Sequence, residues 1–331
     1  MSHRTSLLYR LALMPVVACV FCFLSSLATA PAQAAQEKIM LGYSAISPSI
    51  AGVWMAKEMG AFSKRGLDAE LIHISSGAVV MQALVGGSVQ AALGASNAVV
   101  AAILNGGPII AVASNTSRPG MALWVQPEIQ RAEQLERKTL AITRYGSASD
   151  FVTRLVLKKL GLEGKVEIRQ FGGVVEADVG FRARLAEGRV ASQAPSPQAK
   201  MLVDAAELGI PYSMNLLAVA TDFYRRSPAT VEKIVAAYVE GIAGLRTKKQ
   251  QALEVLGKYM RGRGGMVETH HQWVMKYLDA VPRVEPEAVE TVMAMVGHSG
   301  PASAKVFDNG IIEKLVREGF IDRLYGKGKG Q

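Results

Sequence analysis

Few side chains in this 331-residue sequence stand at spacings that make or break bonds. His270 and His271 are adjacent. On a helix they point about 100° apart, so they do not share a metal ion as residues one turn apart do. After residue 34 there is no H-E-x-x-H, no P-loop, no G-x-S-x-G and no cysteine nucleophile. Gly94-Ala95-Ser96-Asn97-Ala98 ends on Ala where a nucleophile elbow needs Gly, and Gly264-Gly265 reads as a helix break rather than a phosphate cradle. No catalytic residue, metal or cofactor is expected. What recurs is binding chemistry: short runs rich in hydroxyls, amides and glycine over 44–49, 75–77, 94–97, 114–116, 143–149 and 193–197. If each run leads from a strand end into a helix start, its side chains and free backbone N–H groups can hold an anion without a paired charge. The candidate ligand-binding residues are Ser44, Ser47, Ser76, Ser96, Asn97, Asn115, Arg144, Ser147 and Gln193. The plain alternative for each Ser or Asn is helix capping. Ser147-Ala148-Ser149-Asp150 has capping-box spacing, so Asp150 reads as structural. Tyr43, Trp54 and Tyr145 are candidates for apolar walls, with core packing equally open for Trp54. Arg118, like Arg144, stands near a strand end and is a candidate partner for an anion.

The elements that must position these groups alternate. Strands are expected over 39–43, 69–74, 90–93 and 109–113, with helices over 50–59, 78–84 and 98–104 between them. A second set follows: strands over 139–143, 166–171 and 190–194, helices over 150–160 and 176–187. Such alternation is the signature of parallel sheets covered by helices. The apolar stretches 122–125 and 216–221 read as extended segments passing between the two sets. After Ser227-Pro228, a cap followed by proline at the first helical position, the chain is helical over 229–246, 250–260, 268–280, 286–295 and 311–318. That tail has no strands for a sheet of its own and is expected to return to the first set. The expected organisation is a first lobe over 36–122 plus 222–331 and an inserted second lobe over 123–215, with 216–221 as the second hinge crossing.

Composition narrows the function classes. Half the residues are apolar and a fifth are charged, which excludes a disordered chain. The formal charge is +9, but no block of five basic residues occurs, and Arg246-Thr247-Lys248-Lys249 reads as a solvated helix end. No nucleic-acid partner is expected. Arg4 and Arg10, an apolar run over 11–27 and then Ala32-Gln33-Ala34 follow the order of a secretory signal peptide cleaved after Ala34. The apolar run is short for a membrane anchor and contains Pro15. Cleavage removes two arginines and no acid, leaving +7, and it removes both cysteines, Cys19 and Cys22. Val16-Val17-Ala18-Cys19 also has the look of a lipid-attachment site, so an anchor at Cys19 is the alternative. The chain beyond residue 34 therefore folds on its core alone, in an exported compartment.

Leu41-Gly42-Tyr43 and the run from Val53 to Leu71, VWMAKEMGAFSKRGLDAEL, carry a recognisable pattern. They resemble the NitT/TauT (sulfonate, nitrate, taurine) and NMT1/THI5-like family of periplasmic substrate-binding proteins of ABC importers. Similar support comes from the stretches 82–89, 157–162 and 185–190. The resemblance implies a type II periplasmic-binding fold: two α/β lobes on a two-segment hinge, closing on a small ligand, with a helical C-terminal part returning to the first lobe. It implies a periplasmic monomer that captures a small organic anion, sulfonate-like as first choice, and delivers it to an ABC permease and its ATPase. Contact with the membrane would run through that permease or a lipid anchor. The alternatives are ligand sensing for a membrane receptor and the pyrimidine-making chemistry of the THI5 branch, whose Cys-rich motif this chain lacks. Relatives often carry Asp where this chain has Gln90 and Ala191, positions read as supporting the start of a strand.

Overall fold

The computed structural model describes residues 36–326 except 75, 263 and 302–305; the expected export signal over 1–34 lies outside the described residues. The first alternating set forms β1 (Glu37–Tyr43), α1 (Ala51–Glu58), β2 (Leu67–His73), α2 (Gly77–Val85), β3 (Ala91–Ala95), α3 (Ser96–Leu104) and β4 (Ile109–Ser114). The intervening helices carry the chain back, so β1 pairs in parallel with both β2 and β3. The second set comprises β5 (Ala122–Val125), β6 (Thr139–Ile142), α4 (Ala148–Lys159), β7 (Glu167–Gln170), α5 (Val174–Arg182), β8 (Gly188–Ala191) and β9 (Lys200–Asp204). The chain then enters β10 (Asn215–Ala220).

The two five-stranded sheets have the same plan, β2-β1-β3-β10-β4 and β7-β6-β8-β5-β9. In each, the fourth strand is antiparallel and arrives from the other half of the chain: β10 between β3 and β4, β5 between β8 and β9. The stretches expected to cross are therefore strands, and the crossings lie at 115–121 and 205–214. The misreading has a physical cause. A strand with helices on both faces is apolar on both, so it lacks the alternation that marks a half-buried strand. Leu216, Leu217, Ala218 and Val219 are all fully buried.

The signature run over 53–71 is α1, a turn and β2. Gly60 and Gly66 take positive φ, 70° and 73°, and turn the chain from helix to strand. Trp54 is fully buried and stacks on Tyr259 with ring centroids 4.9 Å apart. Gln90 accepts a hydrogen bond from the Met40 N–H at 2.9 Å, holding the start of β3 beside β1.

The tail is helical: α6 (Thr221–Arg226), α7 (Pro228–Thr247), α8 (Lys249–Met260), α9 (Gly265–Tyr277), α10 (Pro286–Met295), α11 (Gly310–Arg317) and α12 (Phe320–Leu324). Pro228 takes the first position of α7 as expected, although the Ser227 hydroxyl makes no cap bond. Ile234, Val235, Tyr238 and Ile242 of α7 join Val53, Trp54 and Met55 of α1 and Ile39 and Leu41 of β1 in one apolar core. A second core begins under α2 and α3, passes through Met121, Ile210, Tyr212 and Met214 of the crossings, and continues into the second sheet at Leu123, Leu140 and Val156. Among the described residues no helix is long and apolar enough to cross a membrane.

Candidate functional site

In open parallel sheets, ligands meet the carboxyl ends of the strands, where loops run into helix starts. Here those edges of the two sheets touch: the Asn97 side-chain N–H donates to the Gly146 carbonyl at 2.6 Å. Asn97 is in the first turn of α3, after β3; Gly146 is in the loop between β6 and α4. Ala95, at the cap position of α3, has no side chain that could close the helix start. Around that start three buried polar atoms have no hydrogen-bond partner: Ser96 Oγ, Asn97 Oδ1 and the Tyr212 hydroxyl. Ser96 and Tyr212 are 0% exposed and Asn97 9%, so the shortfall is not made up by bulk water. Burial pushes the Tyr212 phenol up to about 12. Ser96 acts on it in the opposite sense, but the two hydroxyls do not meet in hydrogen-bond geometry. Tyr212 is thus a neutral donor at neutral pH. A helix start with unspent hydroxyl and amide groups is equipped to accept the oxygens of an anion.

Across the gap, the loop 143–149 is a hydroxyl mesh. Thr143 Oγ1 donates to Ser147 Oγ at 2.9 Å and pairs with Ser149 Oγ at 3.0 Å. Ser147 caps α4 by accepting from the Asp150 N–H at 3.4 Å, and Asp150 accepts from the Gly146 N–H at 2.9 Å. The Ser147 half of the capping box is present, but Asp150 accepts from Gly146, one residue before the cap, and not from Ser147; Asp150 also holds Arg154 at 2.8 Å. Arg144 is exposed in the same loop and makes no ion pair among the described residues. Gln193 is half-buried in the loop after β8.

Other candidates are committed to the fold. Ser76 caps α2 through the Val79 N–H at 3.5 Å. Ser47 pairs with Ser49 at 2.6 Å, and Ser44 is half-buried with its N–H on Leu93 O at 3.3 Å. Asn115 is engaged within the fold. Its side chain donates to Ser49 O at 2.9 Å and Asn215 Oδ1 at 3.0 Å and accepts from the Asn215 N–H at 2.9 Å, so its amide is spent in joining the crossings. Trp54 is core, Tyr43 is buried with its ring edge-on to Trp54, and Arg118 donates to Lys276 O at 3.1 Å. His271 Nε2 meets Leu245 O at 3.0 Å in a buried setting, and His270 is buried beside it. Among the described residues no three His, Cys, Asp or Glu side chains gather as a metal site. Sequence reading missed Tyr212, which it left at the end of the second lobe, where the only signal was an aromatic after Pro211.

The family model described as NMT1/THI5 like matches residues 47–252. The chain belongs to the NMT1/THI5-like family. Its fold is shared with solved structures of low sequence identity. The ligand-binding component of an ABC-type import system from Staphylococcus aureus, with zinc bound, has a TM-score of 0.70 at 14% identity, covering 84% of this chain and 99% of that one. The periplasmic aliphatic sulphonate-binding protein SsuA from Escherichia coli has a TM-score of 0.67 at 15% identity, covering 86% and 94%. SsuA from Xanthomonas axonopodis pv. citri, bound to MOPS, has 0.61 at 14%, covering 90% and 95%. No curated protein matches the chain. Within this NMT1/THI5-like chain the matched region spans α1, both crossings, the whole second sheet and α3, and so contains every residue of the α3 site.

Proposed function

We propose that this NMT1/THI5-like chain is the solute-binding component of an ABC importer, taking a small organic anion between the strand ends of its two sheets. The carrying observation is the start of α3, where Ser96 Oγ, Asn97 Oδ1 and the Tyr212 hydroxyl are buried without partners beside an uncapped helix end. The two halves act as lobes, and the crossings 115–121 and 205–214 act as the hinge. Structural neighbours named as sulphonate-binding or import-system proteins support the class of function, and the MOPS-bound neighbour holds an organic sulfonate. Export by the leader over 1–34 places the protein in the periplasm, where a permease and its ATPase receive the cargo. No bond of the cargo is changed. The THI5 branch supplies the enzyme alternative, but this site offers donors and no nucleophile or general base within it.

The test is a thermal-shift and calorimetric screen of the purified protein with sulfonates, carboxylates and nitrate. A selective ligand raises the melting temperature by binding the native state. Ser96→Ala is expected to leave the ligand-free melting temperature nearly unchanged, since the hydroxyl makes no bond, and to weaken the best ligand about tenfold. Turnover of a bound candidate, or unaltered affinity in Ser96→Ala and Asn97→Ala together, overturns the proposal.

A further inference from the structure

Alternate residues of β10 point to opposite faces of the first sheet. Leu217 and Val219 join the core under α1 and α7, and Leu216 and Ala218 join the core under α2 and α3. Trp273, Val274 and Tyr277 of α9 belong to the first of these cores. α9 and α3 therefore lie on opposite faces of the first sheet, and each reaches the second half. From α3 the contact is Asn97 on Gly146. From α9 it is made at the two points where the crossings join the second sheet.

The Trp273 indole N–H donates to the Gly120 carbonyl at 2.7 Å, two residues before β5. A Cβ on residue 120 would stand 2.4 Å from the Trp273 ring, so this close approach requires glycine. At the end of β9, Asp204 Oδ2 accepts from the Tyr277 hydroxyl at 2.7 Å and pairs with the Lys276 ammonium at 2.5 Å, while Oδ1 accepts from the Ala206 N–H at 3.0 Å. The Asp204 side chain is only 2% exposed. Burial, aided by that carboxylate, pushes the Tyr277 phenol up, so it stays a donor. Ala206 follows Asp204 directly in the chain, whereas Tyr277 and Lys276 come from the tail. Taking α9 away leaves a buried charge with a backbone donor alone, which is costly until water replaces the lost partners. The carboxylate is thus well satisfied when clasped or when hydrated, and poorly in between. A contact of that kind has two positions rather than a graded stretch.

We infer that Asp204, Tyr277 and Lys276 form a catch that holds the two halves in the arrangement where Asn97 meets Gly146, and that its release frees the second half to swing on the crossings. Tyr277 and Lys276 are positioning residues that lie outside the α3 site. The inference rests on the hinge of the proposed function and adds the contact that sets how often the hinge stands in one position. In a solute-binding protein that fraction enters the apparent affinity directly.

The chain beyond residue 34 has no cysteine, so a pair of spin labels can be placed at will. Ser88→Cys in the first half and Lys158→Cys in the second, both at exposed positions, carry the labels, and double electron-electron resonance measures their separation in the ligand-free protein. With the native catch one distance predominates. With Tyr277→Phe plus Lys276→Gln, the ratio of that distance to all others falls at least about tenfold, as expected when hydrogen bonds to a charged group are lost. Phe at 277 keeps a ring against Trp273, now 5.3 Å between centroids, and the melting temperature checks that the variant folds. Should it not fold, Lys276→Gln alone, at a half-exposed position, is expected to lower the ratio about threefold. Tyr224→Phe removes a phenol that bonds Asp308 away from the crossings and serves as the control, expected to leave the distances unchanged. An unchanged distribution in the folded catch variants, an equal change in the control, or a distribution already broad with the native catch overturns the inference. Each of those results leaves ligand capture standing, because the ligand screen above tests it separately.

Discussion

The two halves share a strand order but are built to different strengths. The first sheet is braced by the tail: Trp54 of α1 stacks on Tyr259 and meets Tyr43 edge-on, and α7 lays Ile234, Tyr238 and Ile242 on the same core. Beneath α5 the second half packs the small side chains Ala141, Ala177 and Ala186 with Phe171 and the buried Phe181, and it sets an ion pair where the first half has hydrocarbon. Arg189 of β8 is buried, donating to Asp178 at 2.6 Å and to Val174 O at 3.1 Å, with its Nε unpartnered. Apolar burial is non-directional and adds up, whereas a buried pair contributes little beyond fixing one arrangement. The first half is therefore a platform, whereas the face of the second sheet under α5 is held in shape by fewer, more directional contacts, the opposite face sharing the second apolar core. Local opening is expected to start under α5.

Three changes sharpen or break this contrast. Trp54→Ala has the largest expected effect, a loss of about 3–5 kcal/mol in denaturant unfolding, because it empties the centre of the platform core. A loss below about 1 kcal/mol would show that the tail does not brace the sheet. Asp178→Leu comes next, at about 2–3 kcal/mol, since it strands the Arg189 guanidinium in the interior. Adding Arg189→Met is expected to restore most of that loss. If the double variant is no better than the single, the pair is not the weak point of the second half.

The smallest effect is a pH response of opposite sign in the two halves. Burial holds the His270 imidazole below its ordinary value. Its contribution is present above about pH 6.5 and falls as pH drops through the depressed folded-state value, because the unfolded chain takes the proton first. Burial raises the Asp178 carboxyl, against the pull of Arg189 and Arg182. Its contribution is fullest below the ordinary carboxylate range and falls as pH rises through the raised value. Unfolding curves from pH 7 to 5 should therefore flatten in His270→Gln. An unchanged slope in that variant would place the acid sensitivity elsewhere.

Much of the architecture was legible because helix and strand periods differ so sharply. The βα alternation, the Ser227-Pro228 start of the tail and the Ser147 cap of α4 could be read residue by residue. What could not be read depends on distance in the chain. Nothing near β10 says that it slots between β3 and β4, since a strand covered on both faces has no polar side to betray it. Nothing local to Asn115 says that its amide will be spent on Asn215, one hundred residues away. Ser76, Ser96 and Ser147 look alike in sequence; only the fold shows that two of them cap helices while the third has an unused hydroxyl. Tyr212 joins the site by passing back along the first crossing, whereas a linear reading leaves it at the end of the second lobe.

The crossings themselves carry a mechanical consequence. Asn115 and Asn215 are stitched by backbone and side chain, Ser114 Oγ meets Ser213 Oγ at 2.9 Å, and the Tyr212 N–H donates to Ser117 O at 3.1 Å. Two ribbons fastened edge to edge flex readily across their flat face and resist shearing past one another. In the proposed closure, movement of either half would be steered along a single arc, like a door on a long hinge plate, and the groups on the two rims would come back into the same register at each swing.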